Sequence, residues 1–265
     1  MENLVQWPRA KWWEKAWNPV IGCKPCSPAC ENCYAAAWAR RFRQSFEPHS
    51  TKQRPPRKGV VFCGNMTDLF GEWMLPYNNM PVTPEDLISS ADGNKATYIW
   101  LTKRVQNMCD SLSIGKFSAV DEEGDVHYVP VSSLNLSNHY FGFTAENQAW
   151  YEKRLEPFLE SFPKWAKAWI SAEPLLGRLG LMFQNPHIRE KIHWVVVGCE
   201  SGRNRRDCPI EYVEDIVRQC REHNVKVFVK QLSIDGKCVN DITKFPKHLQ
   251  IRQVPWATTE KGSAE

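Results

Sequence analysis

Short apolar runs recur along the chain. Each ends abruptly in polar residues, and most are followed by a stretch of helical character. The runs occupy residues 18–22, 59–63, 96–101, 139–143, 168–171, 193–197 and 226–229. They are continuous rather than alternating, as expected of strands covered on both faces of a parallel sheet. Between them, residues 31–46 are amphipathic and Ala-rich, and Pro84-Glu85-Asp86-Leu87-Ile88 follows Thr83 as a helix cap. Residues 147–162 and 210–223 also carry helical spacing. Strand and helix alternating over seven units imply a parallel sheet, either doubly wound or a barrel.

The polar residues after each strand favour the barrel, which gathers all strand C-termini on one active face. They are Asn65, Thr67 and Asp68; Thr102, Lys103 and Arg104; Thr144, Glu146 and Asn147; Ser171 and Glu173; Glu200 and Ser201; and Lys230 and Gln231. The fold expected is α/β: a partial (β/α) barrel of about six to seven parallel strands over residues 1–232. Residues 116–120 and 126–131 flank the polar stretch 121–125 and read as a β-hairpin inserted at about 113–135. Residues 233–265 form an irregular C-terminal extension.

A chain of 265 residues suits one large domain and needs no disulfides to hold its core. With 42% hydrophobic and 24% charged residues, a disordered chain is ruled out. No run approaches the ~18 apolar residues of a membrane span. The start Met1-Glu2-Asn3-Leu4 lacks the basic and apolar regions of a signal peptide, so a cytoplasmic protein is expected. Lys and Arg exceed Asp and Glu by 34 to 30, a net +4 that permits an anionic partner without demanding one.

Ten cysteines change the picture. In a reducing compartment they are thiols, and a cluster of them reads as metal-binding or catalytic. Cys23, Cys26, Cys30 and Cys33 fall within eleven residues on a Pro-containing loop. Structural zinc sites pair two CxxC units across roughly 12–20 residues, whereas here three residues separate the pairs. The spacing Cys26-x₃-Cys30-x₂-Cys33 favours an iron–sulfur cluster. Three protein ligands would leave one iron open for a substrate or cofactor. Arg40, Arg41 and Arg43 on the first helix, and Arg203, Arg205 and Arg206 after the sixth strand, suit a nucleic-acid backbone or an ordinary basic surface.

This cysteine spacing after a first strand resembles the radical S-adenosylmethionine (radical SAM) superfamily. The whole chain resembles more closely a poorly characterised family common in phages and prophages. The shared marks are Trp17-Asn18-Pro19-Val20-Ile21-Gly22-Cys23, Ser27-Pro28-Ala29-Cys30-Glu31-Asn32-Cys33-Tyr34-Ala35 and Asn65-Met66-Thr67-Asp68-Leu69-Phe70. Leu101-Thr102-Lys103-Arg104, Ser171-Ala172-Glu173-Pro174-Leu175-Leu176, Gly198-Cys199-Glu200-Ser201-Gly202 and Phe228-Val229-Lys230-Gln231 complete the set.

The resemblance implies a 4Fe–4S cluster and S-adenosylmethionine, cleaved to a 5′-deoxyadenosyl radical. Cys30 and Cys33 are ligands in either register. The third is Cys26 by the superfamily's spacing, which is slightly favoured, or Cys23 by the family's pattern. Asn65, Asp68, Lys103, Glu146, Glu173 and Glu200 are the implied cofactor-binding residues. Asp68 is assigned to the SAM ammonium; its plainer role is a helix N-cap. Lys230, Cys199 and Tyr34 are the catalytic candidates. The phage setting implies a DNA or nucleotide substrate, such as a modified thymidine that is rearranged. It also implies an electron donor such as flavodoxin or ferredoxin, in the cytoplasm of an infected or prophage-carrying bacterium. DNA-lesion repair, or a zinc- or iron–sulfur-stabilised nucleic-acid-binding protein without catalysis, are the alternatives.

Overall fold

The computed structural model describes residue 7 and residues 9–75, 78–120 and 124–256. Eight strands form one sheet in the order β1 (Lys15–Trp17), β4 (Val60–Cys63), β5 (Thr97–Thr102), β8 (His139–Thr144), β9 (Lys167–Ala172), β10 (Ile192–Gly198), β11 (Lys226–Ile234) and β12 (Lys237–Val239). The first seven are parallel, and β12 folds back antiparallel on β11.

This corrects the expected partial barrel. The sheet is open: among the described residues no ladder joins β1 to β11 or β12; its seven parallel strands match the expected six to seven, and the eighth is the antiparallel return β12. At one edge, β1 is only three residues long and its flank is bonded to a strap. Trp17 Nε1 donates to the Gln53 carbonyl (3.2 Å), and Asn18 N to Gln53 Oε1 (2.9 Å). At the other edge, the β12 return covers β11.

The first strand also differs from expectation. Residues 18–22 do not join the sheet. Pro19 has no N–H for a ladder, and the Asn18 side chain accepts from Met66 N at 3.1 Å instead. The chain turns there, and β2 (Val20–Ile21) pairs antiparallel with β3 (His49–Ser50).

Side chains alternate cleanly between two cores. Val61, Tyr98, Trp100, Phe141, Ile170, Val195 and Val227 face the helices. There they meet Leu87 and Ile88 of α2 (Pro84–Ala91), Met108 of α3 (Val105–Ser113), Phe158 of α4 (Gln148–Ser161), Ile188 of α5 (Pro186–Lys191) and Ile216 of α6 (Ile210–Glu222). The caps at Thr83 and Asn147 form as the sequence suggests, Thr83 within a capping box with Asp86. Val60, Phe62, Ile99, Trp169, Trp194, Val196 and Phe228 face the other way, into an aromatic cluster closed by Trp12 before β1 and by Val254 and Trp256 after β12. Trp12 is 2% exposed there, its ring 4.8 Å from Phe62 and 5.4 Å from both Trp169 and Trp194. Trp256 seals the rim, 5.1 Å from Trp194.

The inserted hairpin is β6 (Lys116–Val120) paired with β7 (Val126–Pro130); residues 121–123 of its turn lie outside the described residues. It packs beside α2. The C-terminal extension begins inside β11, supplies β12, and returns so that Arg252 bridges Phe228. Residues 257–265 lie outside the described residues. No helix among the described residues is long and apolar enough to cross a membrane.

Candidate functional site

A cleft of about 210 Å³ opens at the C-terminal ends of the parallel strands, on the face away from α2–α6. Trp12, Trp13 and Phe62 line it from the aromatic cluster, and Thr102, Thr144, Ser171, Cys199 and Lys230 line it from successive strand ends. The cysteine loop contributes Cys23, Cys30 and Cys33, followed by Tyr34 at the start of α1 (Tyr34–Arg41). Gly22 sets the entry to this loop. Its φ is +97°, and a Cβ there would lie 2.3 Å from the Glu47 carbonyl oxygen, so only glycine fits.

Residues from three strand ends clamp the loop. Arg104, after β5, donates to the Lys24 carbonyl (3.0 Å) while pairing with Asp68 (3.2 Å) and Glu72 (2.6 Å) and lying over the Trp73 ring. Glu146, after β8, is fully buried and pairs with Arg154, and the nearby Ser27 hydroxyl helps to lower its pKa. Arg154 also donates to the Thr144 carbonyl (2.7 Å) and the Lys103 carbonyl (3.2 Å), tying two strand ends together. Glu200, after β10, accepts from Asn32 Nδ2 (2.9 Å) and from Arg206 N (2.9 Å) and Nε (3.0 Å). Arg206 reaches on to the Pro28 carbonyl (3.0 Å) and Glu31 (3.1 Å). Burial alone would raise both glutamates; hydrogen bonds and charge from Arg154 and Arg206 outweigh it and hold both below the ordinary carboxylate range.

The four thiols are free and half-buried. The neighbouring Cys26 thiol pulls Cys30 down to about 4 against the effect of burial, with Lys103 adding to the fall. Cys26 is raised in return, by Cys30 and then by burial. Burial pushes Cys23 up to about 12, and Asp68 adds to it. This electropositive, partly exposed setting favours one thiolate at neutral pH, the form that ligates metals. Among the described residues no group of three or more Cys, His, Asp or Glu is arranged to hold a metal ion. In donor chemistry the loop suits thiolate ligation of iron or zinc.

Most sequence candidates converge on the cleft. Tyr34, Cys199 and Lys230 line it, as do Asn65, Asp68, Lys103, Glu173 and Glu200. Tyr34 donates its hydroxyl to the Asn65 carbonyl. Lys230 pairs with Glu173 at 2.9 Å. The neighbouring Cys199 and Cys238 thiols shift each other in opposite directions, Cys199 up and Cys238 down. Two candidates are taken up by scaffold contacts, Glu146 away from the cleft and Asp68 at its wall. Glu146 is sealed beneath the loop and does not reach the cleft. The Asp68 carboxylate is filled by Thr102 Oγ1 (2.7 Å), Lys103 N (2.9 Å), Phe70 N (3.1 Å) and Arg104. No hairpin residue among those described reaches the cleft.

The sequence reading missed the clamp residues Asn32 and Arg154. It also missed the role of Thr144, which is 1% exposed, lines the cleft, and carries an Oγ1 with no partner. Asn65 Oδ1 is likewise unpaired in the same cleft. Buried polar atoms are almost always satisfied, so these two are places for a bound molecule to complete. Only position at a strand end marked Thr144 in the sequence.

Fold and site together define a mostly parallel α/β protein with a thiol-rich loop held over a polar cleft at its strand C-termini. The chain matches a family described as protein of unknown function (DUF5131) over residues 8–249, and it belongs to that family. No curated protein and no solved structure matches it.

Proposed function

We propose that this protein is a radical SAM enzyme acting on a nucleic-acid base. The observation that carries the reading is the four-thiol loop, clamped from three strand ends over a cleft that also holds two unpaired polar atoms. Cys30 and Cys33, with Cys26 or Cys23, are the ligands of a 4Fe–4S cluster. Bound there, the cluster and S-adenosylmethionine would supply a one-electron cleavage to methionine and a 5′-deoxyadenosyl radical, which takes a hydrogen atom from the substrate.

The chain's own groups bind and shield. Asn65 Oδ1 and the Thr144 hydroxyl offer hydrogen bonds to the polar parts of a bound molecule. Trp12, Trp13 and Phe62 keep water from the cleft's inner end. Lys230, balanced by Glu173, offers an ammonium for an anionic group, and Cys199 and Tyr34 are the candidate hydrogen-atom donors. The reaction class is base modification, most simply a rearrangement of a modified thymidine. The electron comes from a donor such as flavodoxin or ferredoxin. The working compartment is the reducing cytoplasm of a bacterium carrying the phage or prophage, which suits ten free thiols.

Purification without oxygen, followed by iron, sulfide and zinc analysis, tests the ligand. A brown protein whose iron and sulfide fall on Cys30→Ala supports the reading. A colourless protein with stoichiometric zinc overturns it in favour of a zinc-stabilised binding protein.

A further inference from the structure

The surface leading away from the cleft carries an uncommon combination. On α1 and just beyond it, Tyr34, Trp38 and Phe42 recur every fourth residue and remain 53%, 44% and 52% exposed. Trp38 and Phe42 lie ring to ring at 4.9 Å, and the Arg41 guanidinium lies over Phe42 at 5.8 Å. The inner residues Ala35 and Ala39 are buried, so the aromatic stripe is the helix's outer face. Large aromatic side chains left in water mark a binding surface rather than a core.

Charge continues the stripe. Residues 40–58 hold Arg40, Arg41 and Arg43, then Lys52, Arg54, Arg57 and Lys58, against the single acid Glu47. That is a local +6 where the whole chain carries +4. All seven are exposed, and none pairs with a carboxylate among the described residues. The strap that carries the last four is anchored along the β1 edge. Cys23 N donates to the Phe46 carbonyl (3.1 Å), Thr51 Oγ1 to the Asn18 carbonyl (2.7 Å), and Tyr98 OH to the Pro56 carbonyl (2.7 Å). Both segments start at the cleft, since Tyr34 and Phe46 line it.

We propose that α1 and the following strap form a docking track for single-stranded nucleic acid. The bases stack on Trp38 and Phe42, the phosphates follow the Arg and Lys of residues 40–58, and the track leads one nucleotide past Tyr34 into the cleft. Exposed cations without carboxylate partners beside flat rings match the alternating chemistry of a single strand. In a duplex the base faces are already covered, so the rings would have nothing to hold. The inference draws its purpose from the proposed action on a base, but its test needs neither cluster nor S-adenosylmethionine.

The test is fluorescence anisotropy of the full chain with a labelled oligothymidylate, the matching duplex, and heparin as a polyanion without bases. The single strand is expected to bind more tightly than the duplex. Trp38→Ala should weaken the oligothymidylate about tenfold or more while leaving heparin unchanged. Trp38→Phe, which keeps a ring, should restore binding and so separates stacking from any loss of fold. Arg54→Gln with Arg57→Gln should weaken both ligands and flatten the log-log salt slope for the single strand by roughly 0.7 per charge removed. Equal binding of duplex and single strand with no effect of Trp38→Ala overturns the proposal. So does binding of an acidic flavodoxin but no nucleic acid, which makes the surface a protein dock. Failure here leaves radical cleavage standing, and failure of cleavage leaves the track standing.

Discussion

Arg154 shows how the site's polar residues divide their work. Its guanidinium joins the Glu146 carboxylate to the carbonyls of Thr144 and Lys103 beneath the cysteine loop. A buried charge left without its partner costs about 3–5 kcal/mol, because the remaining ion has neither water nor counter-ion. Arg154→Met therefore strands Glu146 and should lower the melting temperature by roughly 10 °C in a domain of this size. It should also loosen Ser27, and with it the loop, so iron bound per chain should fall in the same variant. Full iron content with an unchanged melt would contradict the clamp. The sequence marked Glu146 only as a carboxylate at a strand end, a pattern shared by Glu173 and Glu200. Which of the three faces a cleft depends on its cationic partner, and Arg154 and Arg206 reach their glutamates through tertiary folding that spacing does not reveal. That Cys30, Cys33 and Lys230 would meet in one cleft was legible because thiol spacing and strand-end position are local features.

At the scale of elements, the continuous apolar runs were readable because both sheet faces are covered, one by helices and one by the aromatic cluster. The first strand lies before the apolar run that suggests it, because Val20-Ile21 has strong strand character while Asn18-Pro19 ends the ladder through a distant partner, Met66. His139 shows how tightly the helix-facing side is sealed. It opens β8 fully buried, accepts from Trp100 Nε1 at 3.2 Å, and leaves its own Nε2 without a partner. Burial lowers its pKa from 6.5 to about 3. Between those values the unfolded chain takes up a proton that the folded chain refuses. Stability is therefore whole above about pH 6.5 and falls as pH drops below it, by up to about 1.4 kcal/mol per pH unit. His139→Asn keeps an acceptor for Trp100 and removes the titration. Thermal melts from neutral to mildly acid pH should show a shallower decline for the variant than for the parent. Parallel declines would mean that other groups set the acid limit.

The whole molecule is built around one end of its sheet. The segments before β1 and after β12 meet in the same aromatic cluster, with Trp7 N bonded to the Arg252 carbonyl at 3.1 Å and Trp12 and Trp13 rising to line the cleft. Strand order runs in sequence from β1 to β12, which places every βα connection at the cleft end and explains why motifs scattered over residues 17–231 meet there. That convergence was legible from the strand-end pattern. The openness of the sheet was not, because local sequence does not state whether the first and last strands pair. The measurement that bears most directly on function is anaerobic reconstitution with iron and sulfide, reduction, addition of S-adenosylmethionine, and assay for 5′-deoxyadenosine with and without phage DNA. Wild-type protein should form it, Cys30→Ala should not, and only one of Cys23→Ala and Cys26→Ala should abolish it. A protein loaded with its full cluster that forms none, even with DNA present, would contradict the radical reading.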